Sequence, residues 1–353
     1  MQETTPQHAQ LETKPFENLT PDVVLRAAEL CGFTVDGRLL ALNSFENRVY
    51  QIGLDEPHPN GRKIVAKFYR PNRWNAAQIG EEHHFSQQLH AEEIPVVAPL
   101  EFAGATLHSV DGFRYALYPH QRGRAAEFDQ KETRQWMGRF IGRIHAVGKR
   151  EVFAHRPVIN IATMAEEPRN YLLFCPFIPA DIRPAWEAAS ALAIEGAKRC
   201  FDRAGDVAQI RLHGDCHAGN VLWLPEEMAI GSVNGNKQAA GPYFVDFDDS
   251  RQGPALQDLW MLLSGDRANM QSQLLDILEG YEDFCEFNSA ELPLLEGLRT
   301  LRLLHYSAWL AQRWGDPAFP LAFPWFNTTQ YWQDRILELR EQIALMEEGP
   351  LRV

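Results

Sequence analysis

The 353-residue sequence is poor in the features that mark several common protein classes. It holds only five cysteines, Cys31, Cys175, Cys200, Cys216 and Cys285, and none form a C-x-x-C pair. That odd, scattered set excludes a disulfide framework and a zinc ribbon, and it is the usage of a reducing compartment. Positive charge is in deficit: 34 Lys plus Arg face 47 Asp plus Glu, a formal net charge of −13. Such a balance argues against broad binding to nucleic acid or to an anionic membrane. No apolar run reaches the roughly 18 residues of a membrane span. The polar stretch "MQETTPQHAQLETKPFENLT" lacks the basic-then-apolar order of a secretory signal. No internal repeat is visible. The expectation is a cytoplasmic, monomeric protein with neither nucleic-acid nor membrane partners.

What is present suits a folded enzyme. A hydrophobic fraction of 45% and a charged fraction of 23% are ordinary for a globular chain, and the length allows two lobes. Residues 1–17 read as a disordered tail. "TPDVVLRAAELCGF" follows as an amphipathic helix, with Thr20 as N-cap and Pro21 in the first turn. "LLALNSFENRVYQIG" and "GRKIVAKFYRP" read as strands, divided by the turn-rich "LDEPHPNGR". A helix is predicted over "NAAQIGEEHHFSQQLHAEE", then strands over "VVAPLEF" and "FRYALYP". Beyond residue 120 the pattern is mainly helical, broken by short strands at "NVLWL" and "YFVDFDD". Between those strands "GSVNGNKQAAG" reads as a mobile hairpin tip. The predicted class is α+β, with a strand-rich lobe over residues 18–119 and a larger helical lobe over 120–353.

The chemistry concentrates in "RLHGDCHAGNVLWL". His213 and His217 are spaced for a metal on a helix, but Gly214 and Gly219 weaken a helix there and no zincin glutamate accompanies them. Cys216 beside His217 is a poor nucleophile pair, because adjacent side chains rarely face one another. Phosphoryl transfer fits better. The spacing H-x-D-x-x-x-x-N puts Asp215 where a carboxylate orients the attacking hydroxyl and Asn220 where an amide oxygen binds magnesium. Asp246, after apolar Phe244 and Val245, supplies a second magnesium-binding oxygen on the next hairpin. Lys67, inside an apolar strand, is placed for the nonreacting phosphates, with Val65 on the same strand face covering the adenine. Glu81 and Glu82 both qualify as the helix partner of Lys67.

Together "LNSFENRVYQIG", "IVAKFYRPNRW", "HGDCHAGNVLW", "FVDFDDSRQGPALQDLWMLL" and "WGDPAFPLAFPW" resemble the bacterial stress response kinase A family. That family lies in the aminoglycoside phosphotransferase-like branch of the protein-kinase-like fold. The resemblance runs from about residue 18 to about residue 345. It implies an ATP- and magnesium-dependent serine/threonine protein kinase of the cytoplasm, acting in a stress response and able to phosphorylate itself. By the same resemblance Asp215 and Asp246 are catalytic, Asn220 and Asp246 hold the metal, and Ser44 contacts ATP. The branch's helix motif, Glu-x-x-apolar-x-x-x-Leu, matches Glu82, Phe85 and Leu89, which selects Glu82 over Glu81.

Two features depart from the kinase pattern. The phosphate-covering loop "LNSFENRVY" has no glycine, so side chains such as Ser44 or Asn47 are expected to replace close backbone approach. The metal motif reads Asp-Phe-Asp, with Asp248 where glycine is usual. His217 is expected either to donate toward the transferring phosphate or to pack the loop. Asp258 is expected to brace the catalytic loop through backbone N–H groups or to cap its own helix. "ALYPHQRGR" is the expected adenine-binding hinge, and "WGDPAFPLAFPWF" reads as packing ahead of a substrate platform. A small-molecule kinase of the same fold and a catalytically dead nucleotide-binding scaffold are the rival functions. Acidic charge favours neutral or basic protein acceptors through steering.

Overall fold

The computed structural model describes residues 14–58, 61–229 and 239–353. Of the stretch read as a disordered tail, residues 1–13 lie outside that range. Residues 15–18 form a turn, and the Phe16 ring stacks on Phe113 at 6.2 Å, with the Arg48 guanidinium 4.4 Å from its centre. An aromatic side chain with a surface to cover is enough to order the last residues of that stretch.

The first lobe begins with helix α1 (Pro21–Leu30), whose N-cap Thr20 accepts the Val23 N–H. Strands β1 (Val35–Ala41), β2 (Arg48–His58) and β3 (Gly61–Phe68) follow, then helix α2 (Ala76–Ala91). Strands β4 (His108–Val110) and β5 (Phe113–Pro119) complete an antiparallel sheet of order β1-β2-β3-β5-β4. Two expectations change. "LLALNSFENRVYQIG" is a hairpin rather than a strand, because residues 42–47 turn between β1 and β2. "VVAPLEF" forms no strand beyond the isolated bridges at Val96 and Phe102. Pro95 and Pro99 cannot donate to a ladder, and the segment gives the sheet only one bond, from Leu100 N–H to Leu117 O of β5 at 2.7 Å. It serves instead as a seam between lobes: Val97 N–H donates to Phe244 O at 3.0 Å, and Phe244 N–H to Pro95 O at 2.8 Å. Helix α2 starts where the sequence places it, since Asn75 and Gln78 close a reciprocal capping box.

The second lobe opens with β6 (Arg124–Ala125) and α3 (Lys131–Gly148). A π-helical turn at Ala162–Glu166 runs into α4 (Glu167–Phe174), followed by α5 (Arg183–Ala204) and β7 (Ile210–Arg211). Next come β8 (Val221–Leu224), α6 (Glu226–Ala229), β9 (Gly241–Phe244), β10 (Gln252–Gly253) and α7 (Leu256–Trp260). Four helices end the chain: α8 (Arg267–Tyr281), α9 (Leu294–Arg313), α10 (Ala318–Ala322) and α11 (Thr329–Glu347). Strands β8 and β9 pair as the stem of the expected hairpin, whereas most of its tip, residues 231–238, lies outside the described residues.

Glycine sets one decisive contact in this lobe. A Cβ at Gly138 of α3 would sit 1.9 Å from Ile277 O, and one at Gly280 of α8 would sit 2.0 Å from Gln135 O. The two helices therefore pack backbone to backbone. On the far side Trp186 of α5 meets Trp332 of α11 edge to face at 6.1 Å, a geometry adding roughly 0.5–1.5 kcal/mol beyond area burial. No described helix is long and apolar enough to cross a membrane.

Candidate active site

The stretch from β7 to β8 is a braced loop, not a helix. Both oxygens of the buried Asp258 carboxylate are used there, accepting the backbone N–H groups of His213 and Gly214 at 2.8 Å each. The His145 ring lies 3.1 Å from the same carboxylate. Bracing, rather than capping, is therefore the role of Asp258. His213 points inward and donates from Nε2 to Val245 O at 2.9 Å, tying this loop to the one that carries Asp246. Gly214 has φ +85°, and a Cβ there would lie 2.1 Å from Asp249 O. Only glycine fits between the two loops.

The other readings of this stretch fail on geometry. His213 is buried and His217 half-buried, and among the described residues no three His, Cys, Asp or Glu are grouped to hold a metal. Burial, aided by Asp258 and Asp215, pushes the Cys216 thiol well above its ordinary range, which makes it a packing residue. His217 accepts the Gly219 N–H through Nδ1 at 2.9 Å, the loop-packing alternative, while its Nε2 lies 3.4 Å from Asp215.

Between the lobes lies a cleft of about 380 Å³. Its lining brings together Ser44, Val65, Lys67, Glu82, Asn220 and Asp246. The hinge residues Pro119, His120, Gln121 and Gly123 close one side, while Val49, Val97 and Leu222 add apolar wall. Asn47 departs from expectation. Its Oδ1 accepts the Arg70 N–H at 3.0 Å and the residue is buried, so of the two polar side chains proposed for the loop only Ser44 faces the cleft.

Lys67 is buried at the centre of three carboxylates: Glu82 at 3.3 Å, Asp246 at 3.0 Å and Asp248 at 3.3 Å. Burial opposes its charge, but Asp246, Asp248 and Glu82 outweigh that and hold the ammonium well above its ordinary pKa. Glu82 also meets Arg156 at 3.0 Å. Glu81 does something else. Its carboxylate accepts the backbone N–H groups of Ala154, His155 and Arg156 at 2.6 to 3.1 Å, anchoring α2 to the following lobe. The two adjacent glutamates are thus told apart by the direction each takes around the helix. Glu82→Gln is expected to lower kcat/KM by ~10- to 100-fold, the worth of a buried charge-assisted pair. Glu81→Gln should leave turnover within about twofold and cost ~1 kcal/mol of stability. Steady-state rates and thermal melts of both variants check this, and the reverse ranking would move the pairing to Glu81.

Asp246 is held in the left-handed region at φ +60°, with its side chain half exposed to the cleft. Such backbone outliers tend to gather at functional sites. Phe247 is turned inward, 4.5 Å from the His213 ring and 6.0 Å from Phe85 of α2, which fixes the direction of Asp246. Asn220 donates its amide to Asp215 O at 2.9 Å, so its amide oxygen is the end left for a cation. Two hard oxygens, Asn220 and Asp246, fit a cation that takes its remaining ligands from phosphates and water.

Asp215 lies next to Asn220 of the cleft wall, held by a residue the sequence did not single out. Arg302 of α9 reaches its Oδ1 at 2.6 Å. Burial pushes the Asp215 carboxyl up, but the Arg302 charge and the His217 hydrogen bond outweigh this and keep it below the ordinary range. Oδ2 has only long contacts, 3.4 Å to His217 and 3.5 Å to Asn220. It is the oxygen free to take a proton. Arg73 and Arg156 were also missed. Arg73 pairs with Asp248 and, at 2.6 Å, with Asp249. Arg156 donates to Asp248 O at 2.7 Å and Ser250 O at 3.1 Å while binding Glu82. With Asp248 in place of a glycine, these cations neutralise the extra carboxylate and lock the loop after Asp246.

A family model described as "Phosphotransferase enzyme family" matches residues 38–296, which contain Lys67, Asp215, Asn220 and Asp246. The chain belongs to that family. Stress response kinase A of Escherichia coli (strain K12) is 43% identical over 338 residues, covering 96% of this chain and 97% of the relative. The serine/threonine protein kinase RdoA of Salmonella typhimurium has the same identity and coverage. Among solved structures, amicoumacin kinase hAmiN in complex with AMP-PNP, Ca2+ and Ami superposes with a TM-score of 0.69 at 19% identity, covering 94% of each chain. A microcompartment-associated aminopropanol kinase gives 0.64 at 18% identity, covering 92% of this phosphotransferase and 97% of the other. At such identities the structural likeness speaks for the fold, a two-lobed kinase-like one.

Proposed function

We propose that this phosphotransferase is a serine/threonine protein kinase of the stress-response type, using ATP and magnesium and able to phosphorylate itself. The observation that carries the reading is the cleft itself, where Lys67 bridges Glu82 and Asp246 while Asp215, beside Asn220 of its wall, keeps one carboxylate oxygen open. The near full-length relatives, named stress response kinase A and serine/threonine protein kinase, support the choice of acceptor.

In this reading the purine lies against Val49, Val65, Val97 and Leu222, with its polar edge toward the hinge backbone at 119–121. Lys67 and Ser44 take the nonreacting phosphates. Asn220 and Asp246 hold the cation, which when bound neutralises charge on the polyphosphate. Asp215, ionised and oriented by Arg302, orients the acceptor hydroxyl and accepts its proton through Oδ2. The acceptor approaches along the α9 face that carries Arg302 and, one and two turns on, His305 and Trp309. Those last two line a second cleft of about 310 Å³ with Arg73, Trp74 and Thr163. Thr163 lies on the π-helical turn, a feature often found at functional sites.

That second cleft also suits a small hydroxyl compound, the alternative reading. Incubation of the purified chain with radiolabelled ATP, magnesium and myelin basic protein separates the two. Label on serine or threonine of the basic protein and of the enzyme is expected. Stoichiometric ATP consumption with choline, homoserine or an aminoglycoside, and no labelled protein, would establish the small-molecule kinase instead.

A further inference from the structure

The phosphate-covering loop has no glycine, yet its conformation is set by the other lobe. Arg48 donates from Nη1 to Phe45 O at 3.1 Å and Asn47 O at 3.2 Å. Arg70 donates from Nε to Glu46 O at 3.0 Å and from Nη2 to Phe45 O at 3.3 Å. Both arginines therefore grip the carbonyls of residues 45–47. Their other ends converge on one buried carboxylate of the helical lobe, Asp316: Arg48 at 2.8 and 2.9 Å, Arg70 at 2.7 Å.

A second tie runs beside the first. The Glu46 carboxylate meets Arg70 at 3.0 Å, Arg313 of α9 at 3.1 Å, and the indole N–H of Trp309. The Phe45 ring packs edge to face on Phe323 at 4.8 Å. Burial and the bidentate geometry make these pairs strong and directional, unlike surface ion pairs. "WGDPAFPLAFPWF", read from sequence as packing or platform, thus holds the anchor of a loop about 270 residues earlier in the chain, a separation of 268 at the Arg48–Asp316 pair.

We propose that Asp316, acting through Arg48 and Arg70, is a positioning residue for the nucleotide. It presets residues 42–47 over the phosphates by joining them to the helical lobe, a task that flexible glycines and loop closure perform elsewhere in kinases. Trp309 and Arg313 also line the second cleft, so Glu46 extends the same tie to the acceptor side. The inference rests on the nucleotide-binding reading of the first cleft.

The test uses the full chain, with initial rates measured over a grid of ATP and acceptor concentrations. Asp316→Asn removes the charge that holds both arginines. It is expected to raise KM for ATP by about tenfold, with kcat and the acceptor KM within about twofold. Asp316→Glu, which keeps the charge, should recover part of the loss. Because Asp316 is buried, Phe45→Ala and Arg48→Gln are measured in parallel; they loosen the same loop at half-buried positions and should move the ATP KM in the same direction. An unchanged ATP KM in the folded variants overturns the proposal, as does an equal fall in every kinetic constant, which signals general damage. If the wild-type chain transfers no phosphate, the kinase reading fails. The positioning role is then read from tryptophan fluorescence titrations with magnesium-ATP, where unchanged affinity in the variants overturns it.

Discussion

Asp215→Asn is expected to cut phosphoryl transfer by about 10³-fold while leaving ATP affinity within about twofold, the usual scale for loss of a positioned proton acceptor. The carboxylate contributes nothing to the wall of the nucleotide cleft, which is lined from Leu42 to Phe247 by other residues. Arg302 holds Oδ1 at 2.6 Å, so an asparagine settles with its oxygen on the guanidinium and its NH2 where Oδ2 stood. The group facing the acceptor hydroxyl then donates, and no proton can be taken. The fold should survive, because the loop is braced by Asp258 and His213 independently of the Asp215 side chain. Single-turnover rates and ATP titrations of the same preparation check both halves. Equal loss of rate and affinity would show that Asp215 holds the nucleotide.

The sequence displayed the site more fully than it displayed what supports it. Lys67, Asp215, Asn220 and Asp246 were legible because each lies in a short segment whose local form is set by neighbours: an apolar strand, a glycine-bearing turn, a strand end. Helix α2 was legible from its cap and its apolar spacing. Glu81 and Glu82 were not separable on physical grounds. They are adjacent on a helix whose two sides both meet protein, and only the family motif chose between them. Arg156, Arg302 and Asp316 gave no local signal at all. Each acts through contacts 74 to 268 residues away in sequence, and a long side chain on a loop or helix face does not announce its direction. The misread "VVAPLEF" shows a converse failure. Its β-branched residues fit a strand, but Pro99 within it and Pro95 just before it remove donors, so it gives the sheet only the Leu100 N–H and otherwise bonds the other lobe.

Asp248 explains why the Asp-Phe-Asp sequence does not make the loop mobile. A glycine there would leave the backbone free to turn; this aspartate is buried and pinned by Lys67 and Arg73. Burial pushes its carboxyl up, but Arg73 and Lys67 outweigh it and keep it ionised. The loop after Asp246 is therefore fixed by charge from the first lobe, just as the 42–47 loop is fixed by charge from the second. Each lobe orders a cleft-facing segment of the other, which makes the cleft preorganised.

Asp246→Asn should separate cleanly from Asp215→Asn on that account. Asparagine tolerates the left-handed backbone that Asp246 adopts, so the turn is expected to hold. Lys67 keeps Glu82 and Asp248 as partners, so the lobes stay joined. What disappears is the carboxylate that faces the cleft beside Asn220. Magnesium-dependent ATP binding should fall with it, and kcat/KM should drop by ~10²- to 10³-fold, the scale of losing one preorganised electrostatic contact to the transferring group. Removing this carboxylate also takes one of the three negative charges from around Lys67. ATP without magnesium should therefore bind the variant at least as well as it binds the parent chain. Calorimetric titrations of ATP with and without magnesium give the readout. A variant that retains the full magnesium effect would show that the cation is held elsewhere in the cleft, and the assignment of Asp246 as its ligand would fall.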